Sequence, residues 1–164
     1  MAKIRIDDSE TDYIIKQVEK VLERAQGLKD YGVGSDRFTR HAIGFAGEYA
    51  VSKYLYLKKP TFDLDTRHGG DVGPFEVRTT PNINGRLLLN QRDWPKRDRA
   101  FIHVISLKDR WFKIVGWLYG YEVMRPENYF ERPQFKEAVY KVENHELRQI
   151  EELQDGKTTH SLGC

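Results

Sequence analysis

The sequence has almost no sulfur chemistry to offer: one cysteine, Cys164, in 164 residues. No internal disulfide can form and a cysteine-based zinc site is excluded. No run approaches the ~18 uninterrupted apolar residues of a membrane span. The opening MAKIRIDDSETD lacks the apolar stretch of a secretory signal, so the expected setting is the cytoplasm, with no membrane partner. Charge of one sign is also lacking. The 27 Lys and Arg against 25 Asp and Glu leave +2, which excludes a histone-like polycation but not a nucleic-acid enzyme with its positive charge in one place. The five histidines (His41, His68, His103, His145, His160) show no paired metal spacing. The glycines at 32–34 are followed by no Gly-Lys-Ser/Thr, so a phosphate loop is absent.

What is present suits one globular domain over residues 1–153, with a polar tail at 154–164 expected to fray. A domain of this size buries roughly two-thirds of its unfolded surface and needs no staple. Eight Phe, nine Tyr and three Trp argue against disorder. The charge is uneven along the chain: residues 1–85 are net neutral, residues 86–113 carry +5, and residues 114–164 carry −3. The middle segment is either a solvated loop and hairpin or a phosphate-tracking surface.

Periodicity predicts a helix over 9–28, with Ser9 and Asp12 as a capping box, and a second over 36–57 with Ser35 as N-cap. Gly44 and Gly47 inside the second helix imply close approach of another element, since each glycine costs about 1 kcal/mol relative to Ala. Period-two patterns predict strands near 61–65, 75–80 and 85–90, a central strand over 101–106, and a hairpin strand over 111–117. A short helix near 119–125, a strand at 138–142 and a helical turn over 145–153 complete an α+β (mixed α/β) domain, helices packed on a sheet. Trp111 and Trp117 fall in strand patterns and are expected in the core, whereas Trp94, in QRDWPKRDR, suits a nucleic-acid contact. Gln91 reads as a loop residue.

The stretch from Gly69 to Thr80 (GGDVGPFEVRTT) carries the chemistry. Glu76 and Arg78 share one face of a predicted strand; Phe75, Val77 and Thr79 point to the other, toward a core. Asp71, on the preceding glycine-rich turn, can fold back toward Glu76. Paired carboxylates repel, and a divalent cation relieves the repulsion while gaining hard oxygen ligands. The plain reading is an exposed Glu–Arg pair worth at most about 1 kcal/mol, with Glu48 an ordinary solvent-facing helix residue.

The segment GFAGEYAVSKYL followed by GGDVGPFEVRTT resembles the PD-(D/E)xK nuclease superfamily. The later runs FKIVGWLYGYEVM and VYKVENHELRQIEEL resemble small phage proteins of that fold. The resemblance implies a restriction-endonuclease-like α-β-β-β-α-β core, its central mixed sheet of four to five strands flanked by helices. It implies Mg²⁺ (or Mn²⁺) held by Asp71, Glu76 and the Val77 carbonyl, with Glu48 as the helix glutamate orienting water. Arg78 stands where the family has lysine; Thr79-Thr80 match the threonines that often follow. The implied activity is DNA phosphodiester hydrolysis, in a host cytoplasm if the chain is phage-encoded. Arg86, Arg92, Trp94, Lys96, Arg97 and Arg99 would hold the DNA strand. Two departures stand out. Arginine cannot act as a base. The spacing from Asp71 to Glu76 is short for a full hairpin, which leaves Asp63 or Asp65 as alternatives to Asp71, and His68 as a possible helper. The other readings are an inactive nucleic-acid-binding or phage accessory protein on the same fold, and an assembly protein whose Trp111 hairpin makes homo-oligomer contacts.

Overall fold

The computed structural model describes residues 1–26, 35–57, 70–135 and 137–153. The expected strand at 61–65, the 154–164 tail, and Asp63, Asp65, His68, His160 and Cys164 lie outside them.

The first element is a strand that periodicity did not predict, β1 (Ala2–Arg5), four residues alternating between half-buried and exposed. Helix α1 (Asp8–Gln26) follows. Its cap is not Ser9 with Asp12. Asp7 Oδ1 accepts from the Glu10 amide at 2.8 Å, and Glu10 Oε1 accepts from the Asp7 amide at 2.9 Å. The capping box therefore starts two residues earlier, where an aspartate oxygen satisfies an orphan amide and its negative charge meets the helix N-terminus. Ile14, Val18 and Val21 form its buried stripe. Helix α2 (Ser35–Tyr54) buries Phe45, Ala46, Ala50 and Val51.

The central sheet has four strands in the order β1-β5-β4-β2, with β2 (Glu76–Thr80), β4 (Ala100–Ser106) and β5 (Trp111–Tyr119). It is mixed: β1 and β5 run antiparallel, as do β4 and β5, while β2 runs parallel to β4 with Glu76 opposite Phe101 and Arg78 opposite His103. Strand β4 is buried on both faces, as its unbroken apolar run predicts. The expected single sheet divides in two. Strand β3 (Leu87–Asn90) leaves β2 and pairs with β7 (Glu137–Val142), which also pairs with β6 (Tyr129–Arg132), giving a three-stranded antiparallel sheet. Leu87, Leu89 and Val142 from this sheet pack on Phe101 and Leu118 of the first, beside the short helix α3 (Gly120–Val123). The main core lies between α1, α2 and the central sheet, around Phe45, Val77, Ile102, Val104 and Ile114.

Trp117 is buried, and its indole nitrogen donates to the Gln149 carbonyl at 3.1 Å. Trp111 is instead 40% exposed at the start of β5, so it is not a core residue. It follows the Lys108–Arg110 turn, in which Asp109 and Arg110 hold positive φ and swing the chain outward. Among the described residues no helix is long and apolar enough to cross a membrane.

Candidate functional site

The site forms where α2 lies against β2. A Cβ added to Gly47 would sit 1.9 Å from Thr79 Oγ1, so this glycine lets the helix approach the strand more closely than any side chain would permit. Gly44 has no such neighbour: nothing lies within 4 Å of its notional Cβ. Only one of the two glycines therefore serves the approach. Glu48, next in the chain to Gly47, is half-buried over the start of β2.

Asp71 reaches the same place through a turn tighter than the full hairpin considered above. Val72 and Phe75 bridge each other around Gly73-Pro74, with amide–carbonyl bonds of 3.0 Å in both directions. Gly70 closes the turn by donating to the Gly73 carbonyl at 2.9 Å; a Cβ there would meet the Phe75 carbonyl oxygen at 2.3 Å. The next pair in this antiparallel register is Asp71 opposite Glu76. Asp71 Oδ2 accepts from the Val77 amide at 2.9 Å, fixing the carboxylate beside the strand. The short spacing thus brings the two acids together by means of a miniature hairpin.

Glu76 is wholly buried, at 0% exposure, which removes the reading of an exposed ion pair. Arg99 Nη1 donates to its Oε1 at 2.5 Å, and Lys96 Nζ lies 3.5 Å from its Oε2. Arg78 completes the cluster. Its Nη2 donates to Asp93 Oδ1 at 2.7 Å, and its guanidinium carbon lies 5.1 Å from the centre of the Phe101 ring. Its Nη1 lies 3.2 Å from the Val77 carbonyl oxygen, 3.6 Å from Asp71 Oδ2 and 3.8 Å from Glu76 Oε2. Three oxygens, from the residues that the family resemblance implies as cation ligands, converge on one positively charged nitrogen.

The electrostatics follow from this crowding. Burial, then the charges of Asp71 and Glu76, push the Glu48 carboxyl up to about 9, against a smaller opposing pull from Arg78. Glu48 therefore keeps its proton at neutral pH. Burial and the neighbouring Glu76 also raise Asp71, with the Val77 amide and Arg78 opposing. Among the described residues, no three His, Cys, Asp or Glu side chains are grouped to hold a metal ion. A hard-cation set at Arg78 Nη1 has two carboxylates and a backbone carbonyl, a donor type that suits Mg²⁺ or Mn²⁺.

The basic segment divides by direction. Lys96 and Arg99 turn inward to Glu76 rather than outward. Arg86 pairs with Glu143. Arg92 keeps 85% of its side chain exposed beside Glu137. Trp94 is 48% exposed, and the Arg97 guanidinium lies over its ring at 4.6 Å. Gln91 donates to the Tyr140 hydroxyl at 3.2 Å.

Asp93 was missed by the sequence reading and ties these parts together. The turn Gln91–Lys96 is a 3-10 helix capped by Asn90, whose side chain accepts from the Arg92 amide at 2.9 Å, while Asp93 Oδ2 accepts from the Asn90 amide at 3.0 Å. The other Asp93 oxygen holds Arg78. The N-x-x-D capping pattern at 90–93 was the available signal.

No family model, curated protein or solved structure matches this chain.

Proposed function

We propose that the protein is a metal-dependent nuclease of PD-(D/E)xK type that hydrolyses DNA phosphodiesters, with arginine in the usual lysine position. The observation that carries this reading is the convergence of Asp71, Glu76 and the Val77 carbonyl on one cationic nitrogen, beside a glutamate raised to about 9. The helix-borne glutamate ahead of an acidic turn and strand also agrees with the restriction-endonuclease-like arrangement that the sequence resembles. Asp71, Glu76 and the Val77 carbonyl would hold Mg²⁺ or Mn²⁺ in exchange for the Arg78 guanidinium. The cation would supply Lewis-acid stabilisation of phosphoryl charge and activation of water. Glu48 orients the attacking water, as hydrogen-bond donor while protonated and as acceptor once ionised. Arg78 neutralises the phosphate at the point where negative charge accumulates, and remains charged throughout. Arg92, Arg97 and Trp94 contact the strand at the rim.

A second reading rests on a specific observation of its own. Arg99, Lys96 and Arg78 already neutralise Glu76, so the cluster can persist with no metal. The protein would then bind nucleic acid without cutting it, as a phage accessory protein would. Purified protein incubated with linear and circular, single- and double-stranded DNA in Mg²⁺, Mn²⁺ or EDTA separates the two. Metal-dependent cleavage lost in Glu76→Gln and Asp71→Asn supports the nuclease. Cleavage that survives Glu76→Gln refutes the site. Salt-sensitive binding without cleavage selects the second reading.

A further inference from the structure

Beside the carboxylate cluster, on the far side of Arg78, lies a cavity of about 350 Å³. It occupies the gap between the two sheets where β3 leaves the edge of β2. Arg78, Arg86 and Lys141 line it with positive charge, Thr80 and Asn84 add neutral polar groups, and no carboxylate of the described residues is among its lining. Arg86 is compensated by Glu143. Lys141 lies 4.4 Å from the centre of the Phe130 ring, and Phe130 is 45% exposed. The wall also includes His103, which is 1% exposed. His103 Nε2 meets the Gly85 carbonyl at 3.0 Å.

Asp93 engages Arg78 and Glu143 engages Arg86 from outside the wall, but the lining itself holds three cations and no acid, which favours an anion. The volume falls at the lower end of the roughly 300–1,000 Å³ of small-molecule pockets, larger than a bare ion requires. We propose that this cavity binds one nucleotide unit of the substrate strand, its phosphate between Lys141, Arg86 and Arg78. The inference rests on the nucleic-acid reading of the neighbouring site and deepens it: Arg78 is common to both, so a strand seated there presents an adjacent phosphodiester to the carboxylates.

The test is equilibrium binding of a deoxynucleoside monophosphate and of inorganic phosphate to the full chain in EDTA, followed by calorimetry. The nucleotide should bind more tightly than inorganic phosphate. Lys141→Ala should weaken it about tenfold, the loss of one charge-assisted hydrogen bond, and Lys141→Arg should restore it. Equal affinity for nucleotide and inorganic phosphate would overturn the proposal, and so would Lys141→Ala binding as well as the unaltered protein. Cleavage of DNA is measured in parallel. Cleavage without nucleotide binding sinks the cavity alone. Nucleotide binding sensitive to Lys141, with no cleavage under any metal, sinks the hydrolytic reading and leaves the cavity standing.

Discussion

Replacing Glu48 by glutamine should stabilise the protein at neutral pH and leave it unchanged at pH 4. The sign follows from the raised carboxyl. The folded chain keeps the Glu48 proton up to about 9, whereas the unfolded chain releases it near 4.5, as an ordinary glutamate does. Between those limits the folded state binds more protons, so stability falls as pH rises through that window. Each pH unit inside it costs about 1.4 kcal/mol, which gives a ceiling of about 3 kcal/mol at pH 7. Glutamine imitates the protonated carboxyl and escapes that cost. Because Glu48 is half-buried, a charged side chain can rotate partly toward water, and about 1–3 kcal/mol at pH 7 is the expected gain. Asp71 titrates in both proteins and largely cancels in the difference. Urea denaturation in EDTA at pH 4, 5.5, 7 and 8.5 measures it directly. A difference between Glu48→Gln and the unaltered protein that stays flat across this range would refute the placement of Glu48 over Asp71 and Glu76. Saturating Mg²⁺ should erode the advantage of glutamine, because a cation among the acids favours their ionised forms.

Gly47→Ala should destabilise by about 1–3 kcal/mol despite the better helix propensity of alanine, because its Cβ would meet Thr79 Oγ1 at 1.9 Å. Thr79→Ala in the same chain should recover part of the loss in a denaturation double-mutant cycle, since the closest of the clashing atoms is removed. Arg99→Met leaves the wholly buried Glu76 without its 2.5 Å partner and should cost about 3 kcal/mol at pH 7 by urea denaturation. Arg78→Lys keeps the charge but loses the planar fork that reaches Asp93 and the Val77 carbonyl together. The Mg²⁺-induced rise in Tm should therefore be larger in Arg78→Lys than in the unaltered protein; a rise in neither counts against the cation site.

The helix α2 and the strand β2 were legible because their signals are local: a 3.6-residue stripe, a period-two pattern, and glycines in a turn. The sidedness of β2 was legible in part. Val77 does face the core, but Glu76 is buried as well, because Arg99 and Lys96 fold over it from a segment about twenty residues on. That closure depends on the capped turn at 91–96, and net charge alone gives no direction for its cations. The second sheet was illegible for a related reason. Leu87 pairs with Val142 across a long stretch of chain, and nothing in a four-residue strand such as Leu87–Asn90 says which sheet it joins. Strands β1 and β6 were missed because each has four residues, with burial patterns too exposed to raise an apolar signal.

The +5 segment bears on function less through its sum than through its partners. Arg86 and Arg92 meet Glu143 and Glu137 from the acidic end of the chain, Arg110 meets Asp8, and Lys96 and Arg99 meet Glu76. Most of the unevenness along the sequence is thus folded into pairs, as in many stable domains. Exposed pairs of this kind contribute little. The Glu76 cluster is different, because a carboxylate at 0% exposure pays desolvation that its partners only offset, and an apolar residue of similar size is often as stable there or more so. A buried acid held by three cations, with a second acid and a protonated glutamate against it, is therefore poorly explained as a stability device. The same groups gain a purpose if the cluster opens to a cation and a phosphate. The nucleic-acid reading accordingly rests on the carboxylates and on Arg92, Trp94 and Arg97 on and next to the turn that carries Asp93, whereas Lys96 and Arg99 act through Glu76.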